Sequence, residues 1–152
     1  MRFLRYGTRN AAVRVPSIEG GDMSSEIQIS IIDDDEQSRE ALAGLMQAVG
    51  FTTEVFASAM DFLASPNVRH TSCLIVDVHM PRMTGPELHS RLVGSGYDIP
   101  TILITAYPDE SARTRVLGQG VVGYLTKPID EEVLLGCVQS ALQRAKSDEN
   151  PS

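Results

Sequence analysis

The chain has 152 residues, 42% of them hydrophobic and 22% charged, with a formal net charge of −7. That size suits one domain with short tails, and no apolar run reaches the roughly 20 residues a membrane-spanning helix needs. The acidity lies after residue 24, because Arg2, Arg5, Arg9 and Arg14 outnumber Glu19 and Asp22 before it. An acidic body argues against direct binding of a nucleic-acid backbone.

Residues 1–25 lack a sustained apolar period and are rich in Arg, Gly and Ser, so they are expected to form a disordered or loosely attached tail. Met23 offers an alternative start. No apolar stretch follows the arginines, which excludes a secretory signal, while a mitochondrial-type presequence is the minor alternative. From Ile27 the pattern changes. Ile27, Ile29 and Ile31 alternate with Gln28 and Ser30, and Ile32 closes the run, predicting a strand that stops at Asp33. A helix is expected from about Glu36, with Ala41, Leu42, Leu45, Met46 and Val49 at helical spacing and Gly50 as its stop.

Phe51 to Phe56 reads as a second strand. Ser58 then caps a short helix, with Asp61 in the capping-box position and Phe62 and Leu63 facing inward. Cys73-Leu74-Ile75-Val76 is a continuous apolar run, as a strand covered on both faces requires. Pro86 opens a third helix through Leu88 and Leu92. Thr101-Ile102-Leu103-Ile104 is another buried strand. A weaker helix spans about Asp109 to Leu117, and Gly118 either costs it up to ~1 kcal/mol relative to Ala or serves as its cap. Val121 to Leu125 is the fifth strand. The last helix has Asp130 as cap and Val133, Leu134, Cys137, Val138, Ala141 and Leu142 on one face. Cys73 and Cys137 lack CxxC spacing and sit among apolar residues, which fits buried free thiols in a reducing, cytoplasmic compartment.

Five strands alternating with five helices predict an α/β fold with parallel strands joined by right-handed crossovers. The ordered domain is expected over 26–146, with a short tail at 147–152. In an open sheet of this kind ligands bind beyond the carboxyl ends of the strands. There the first strand runs into Asp33-Asp34-Asp35, the third ends in Asp77, the fourth in Thr105, and the fifth leads to Thr126-Lys127-Pro128. If the strand order is 2-1-3-4-5, the first and third strands are neighbours and Asp33, Asp34 and Asp77 converge.

Converging carboxylates repel: two unit charges about 4 Å apart cost roughly 4 kcal/mol at an effective dielectric near 20. A proton or a cation must relieve them. Oxygen-only ligands favour a hard cation, and Mg²⁺ characteristically takes one or two carboxylates, waters and a phosphate oxygen. An aspartate can act as nucleophile and carry a phosphoryl group, while a metal, an ammonium and a hydroxyl neutralise and position that group. Asp77, the acidic pair, Thr105 and Lys127 supply the full set. Each residue alone has a commonplace explanation, as a turn, cap or solvated surface residue. Their joint placement at successive strand ends carries the inference.

On these residues the sequence resembles the receiver domain of bacterial two-component response regulators, closest to the nitrogen-fixation regulator type and without a second domain. The motifs are Ile31-Ile32-Asp33-Asp34-Asp35-Glu36, the stretch from Ile75-Val76-Asp77-Val78-His79 through Met80-Pro81-Arg82-Met83-Thr84-Gly85, Ile104-Thr105-Ala106, and Gly123-Tyr124-Leu125-Thr126-Lys127-Pro128. The resemblance implies a doubly wound, flavodoxin-like (βα)5 fold. It implies that Asp77 is the phosphoacceptor, that Asp33, Asp34, Asp77 and the His79 backbone carbonyl hold Mg²⁺, and that Thr105 and Lys127 contact the phosphoryl oxygens. Tyr124 matches an aromatic switch position whose ring turns inward when Thr105 is drawn to the phosphate, and the Lys127–Pro128 bond is expected to be cis.

The donors implied are phosphohistidines of a sensor histidine kinase or a phosphotransfer protein. The output implied is a protein target on the fourth helix, fifth strand and fifth helix, with phosphorylation-dependent dimerisation as a further option. His79 and Tyr107 are bulky at positions where the family varies, which predicts slow self-dephosphorylation. No DNA-binding or catalytic output segment follows Leu142, so the signal is expected to pass through protein contacts. Two rivals remain open on sequence. A metal-dependent phosphatase with an aspartyl-phosphate intermediate typically has an Asp where His79 stands, and a phosphorylation-independent interaction module would not need the intact set of five residues.

Overall fold

The structure, a computed structural model, describes residues 27–149, with side chains through Arg144. The tail expected over residues 1–25 lies outside the described residues. Five strands and five α-helices alternate: β1 (Gln28–Ile32), α1 (Glu36–Ala48), β2 (Thr52–Phe56), α2 (Ala59–Leu63), β3 (Cys73–Asp77), α3 (Gly85–Gly94), β4 (Thr101–Thr105), α4 (Glu110–Gly118), β5 (Gly123–Thr126) and α5 (Glu131–Glu149). A 3-10 turn at Val68–His70, which has no periodic signal in its residues, links α2 to β3.

The strands form one parallel sheet in the order β2-β1-β3-β4-β5. Alternate residues along each strand face opposite helix layers. Ile32, Leu74, Val76 and Leu103 pack with Phe62 of α2, Leu88 and Leu92 of α3 and Val116 of α4. Ile29, Ile31, Ile75, Ile102 and Ile104 pack with Leu42 and Met46 of α1 and with Leu134 and Val138 of α5. The sheet is thus buried on both faces, which is why its central strands read as unbroken apolar runs.

Two boundaries differ from expectation for identifiable reasons. β5 begins at Gly123 rather than Val121 because Val121 N–H donates to Val116 O and Gly120 N–H donates to Leu117 O. That pair of bonds is a Schellman closure of α4, with Gly120 at φ 102° as the residue that permits it. Gly118 is therefore the last helical residue and not the cap. In α5, Val133 is 49% exposed while Leu134, Val138 and Ala141 are fully buried, so Val133 lies off the apolar face to which the spacing assigned it. α5 also runs past Lys146 to Glu149.

Candidate functional site

The carboxyl ends of β1, β3 and β4 meet because register aligns Ile32 with Val76 and Asp77 with Ile104. Asp33, one residue beyond β1, therefore sits beside Asp77 at the end of β3. One carboxylate oxygen from each of Asp33, Asp34 and Asp77 lies within 4.8 Å of the others. Asp33 is fully buried, Asp77 is 6% exposed and Asp34 is exposed.

Lys127 bridges the two buried carboxylates. Its Nζ is 2.9 Å from Asp77 Oδ1 and 3.1 Å from Asp33 Oδ2. The loop that carries it follows β5, where Lys127 N–H donates to Thr105 O, and its bond to Pro128 is cis, as the resemblance implied. Burial pulls the Lys127 ammonium down, but its hydrogen bonds to Asp77 and Asp33 and their charges outweigh that and hold its pKa above the ordinary lysine value. Burial raises the pKa of Asp77, and the Asp33 and Asp34 charges add to it against the opposing pull of Lys127. One ammonium for three carboxylates leaves excess negative charge, and the donor set is all oxygen. Both features suit a hard divalent cation.

The remaining parts of the site come from loops fixed by local chemistry. Asp77 Oδ2 accepts the His79 N–H at 3.1 Å. α3 starts with a capping box, in which Thr84 accepts from Glu87 N–H and Glu87 accepts from Thr84 N–H. Its first residue must be very small: a Cβ on Gly85 would lie 2.7 Å from Asp77 O and 3.0 Å from Leu103 Cδ2. Thr105 is fully buried, and its Oγ1 accepts the Tyr107 N–H at 2.9 Å. The Tyr107 ring meets the His79 ring edge-on, with centroids 5.6 Å apart.

Tyr124 already faces inward. It is 9% exposed and its hydroxyl accepts the Asp109 N–H at the start of α4. The sequence did not point to two residues of α1 that hold Asp33: Ser38 Oγ donates to Asp33 Oδ2 at 2.7 Å, and Arg39 Nη1 donates to Asp33 O at 2.9 Å. The signal available was position, since the first turn of a helix that follows a strand end faces back onto it.

The response regulator receiver domain family matches residues 29–139. This chain belongs to that family. The receiver is 39% identical over 117 residues to response regulator protein TodT of Pseudomonas putida, an alignment covering 77% of this chain and 52% of TodT. It is 29% identical over 123 residues to the transcriptional regulatory protein FixJ of Azorhizobium caulinodans, covering 81% and 58%. Among solved structures, the crystal structure of FixJ-N superposes with a TM-score of 0.71 at 32% identity, covering 78% of the receiver and 95% of FixJ-N. The BeF3-activated DrrB receiver domain superposes with a TM-score of 0.68 at 25% identity, covering 78% and 99%. The chain spans about half the length of the curated relatives it matches.

The receiver is a phosphoaccepting signalling switch and not a conventional enzyme. Its acidic triad is suited to a metal. No helix among the described residues is long and apolar enough to cross a membrane.

Proposed function

We propose that Asp77 is the residue phosphorylated, with Mg²⁺ held by Asp33, Asp34, Asp77 and the His79 carbonyl. The observation that carries this reading is the shared Lys127 ammonium, 2.9 Å from Asp77 and 3.1 Å from Asp33, bridging the two buried members of the triad. An Asp77 oxygen attacks phosphorus as the bond from a kinase or phosphotransfer-protein imidazole nitrogen to phosphorus breaks, forming an acyl phosphate. Held by those residues, Mg²⁺ would supply positive charge to offset that on the phosphoryl oxygens. Lys127 faces the same oxygens, and Thr105 offers its hydroxyl proton while its Oγ1 still accepts from Tyr107 N–H.

The acyl phosphate carries roughly −1.5 to −2 charge in place of the single carboxylate charge, where Lys127 and Thr105 can respond. The readout surface is α4, β5 and α5, reached through Tyr124, whose partner Asp109 is the N-cap of α4. A protein target or a second receiver takes that surface, in the cytoplasm. Incubation with acetyl phosphate and Mg²⁺, followed by mass spectrometry, tests the assignment. A phosphoryl adduct on Asp77 that is absent from Asp77→Asn supports it. An adduct elsewhere, or none, overturns it, and steady release of phosphate from small phosphoesters favours a phosphatase.

A further inference from the structure

The geometry points to Ser38 as a positioning residue for the metal-facing carboxylate Asp33, an inference that rests on the metal-assisted reading of the acceptor site. Asp33 is fully buried and its carboxylate takes three donors: Asp35 N–H on Oδ1 at 2.9 Å, and Ser38 Oγ at 2.7 Å and Lys127 Nζ at 3.1 Å on Oδ2. A carboxylate oxygen has two acceptor sites. Oδ2 is therefore saturated, and the one acceptor site left is on Oδ1. Asp33 presents Oδ1 to a cation without giving up either Ser38 or Lys127.

The Ser38 hydroxyl has no duty in the helix itself. A serine in a helix commonly returns its proton to the carbonyl four residues back, but here the proton goes to Asp33. The cap of α1 is made by Asp35, whose Oδ2 accepts the Ser38 backbone N–H at 2.9 Å, and that bond does not need the hydroxyl. Arg39 fixes the Asp33 backbone from the same turn. The first turn of α1 thus helps set both the position and the rotation of Asp33, and Ser38 holds the rotation together with Asp35 N–H and Lys127. Without Ser38, Oδ2 gains an empty acceptor site and the carboxylate, left with Asp35 N–H and Lys127, is less firmly aimed.

Hydrogen-bond partners of ligating carboxylates are typically worth about 10- to 100-fold in metal affinity. Titrating the full chain with Mg²⁺ and no phosphodonor, by calorimetry or amide NMR of Asp33 and Lys127, reads this directly. Ser38→Ala is expected to raise the Mg²⁺ dissociation constant by about tenfold or more, while Ser38→Thr, which keeps the hydroxyl, stays within about threefold of the parent. Because Ala suits a helix and the cap bond remains, the melting temperature should fall only by the few degrees that one lost hydrogen bond to a buried carboxylate costs. Labelling of Asp77 by acetyl phosphate should fall at low Mg²⁺ and recover at saturation. Equal or tighter Mg²⁺ binding by Ser38→Ala overturns the inference, as does a loss in Ser38→Thr as large as that in Ser38→Ala. No Mg²⁺ binding by the parent chain removes the acceptor reading itself, a different failure.

Discussion

Lys127 is one of two lysines in the sequence, and it stands between two carboxylates that water barely reaches. Removing one member of a buried ion pair leaves uncompensated charge and costs about 3–5 kcal/mol. The Lys127 side chain is 23% exposed, so Lys127→Met should destabilise the domain by about 3 kcal/mol, the low end of that range. Mg²⁺ should then restore more stability to the variant than to the parent, because the ion supplies the charge the lysine gave. Urea denaturation with and without Mg²⁺ measures both effects, and equal Mg²⁺ responses would contradict the shared-cation account. His79 and Tyr107 act at the same scale. Their backbone N–H groups hold Asp77 and Thr105, and their rings meet edge-on. Bulky side chains beside the acceptor hinder attacking water, so His79→Asn combined with Tyr107→Ala should shorten the acyl-phosphate half-life by about 3- to 10-fold. An unchanged half-life in the double variant would remove that role.

α3 carries a titratable group away from the site. His89 is 6% exposed and lines a cavity of about 140 Å³ with Tyr97, Gln119 and Arg144. Burial lowers its pKa from the ordinary 6.5. The folded chain therefore binds that proton less readily than the unfolded chain. Stability is full above pH 6.5, falls as pH drops below it, and levels off once pH is beneath the folded-state value. His89→Gln should flatten this slope in urea midpoints taken between about pH 7.5 and 5, read as the difference from the parent so that the raised Asp77, common to both chains, cancels. The elements themselves were legible to the degree that their burial was. β3 and β4 lie between two helix layers and announced themselves as apolar runs, while β1 was read from the alternation of its isoleucines with Gln28 and Ser30. α4 buries only Val116 and so shows almost no period. Val133 was assigned to the wrong face because it lies one residue off the fully buried Leu134, Val138 and Ala141 stripe, a difference that apolar spacing alone does not register. The acceptor cluster was legible because its acids and Lys127 fall at strand ends. Ser38, Arg39 and the tight Gly85 approach were not, because their roles depend on where α1 and α3 meet the sheet.

Across the whole molecule, the acceptor and the proposed output surface share β4, whose end carries Thr105 on the Asp77 side and which pairs with β5 on the other. Tyr124 extends that connection to α4 by one hydrogen bond, from Asp109 N–H to its hydroxyl. α4 has little else to hold it, since its outward residues are polar and its ion pair between Glu110 and Arg113 is exposed. Elements with few buried contacts open first and are the ones a local charge change can bias. Tyr124→Phe keeps the ring and its packing but removes the acceptor at the α4 start. Amide exchange across Glu110–Gly118 should then quicken by about 3- to 10-fold, as expected for losing a hydrogen bond of roughly 1 kcal/mol. Labelling of Asp77 should stay within about twofold, because the hydroxyl touches none of the acceptor groups. Hydrogen exchange on the free and beryllofluoride-bound chains reads both states. If α4 protection is identical in parent and variant in both, the hydroxyl is not the link between acceptor and surface.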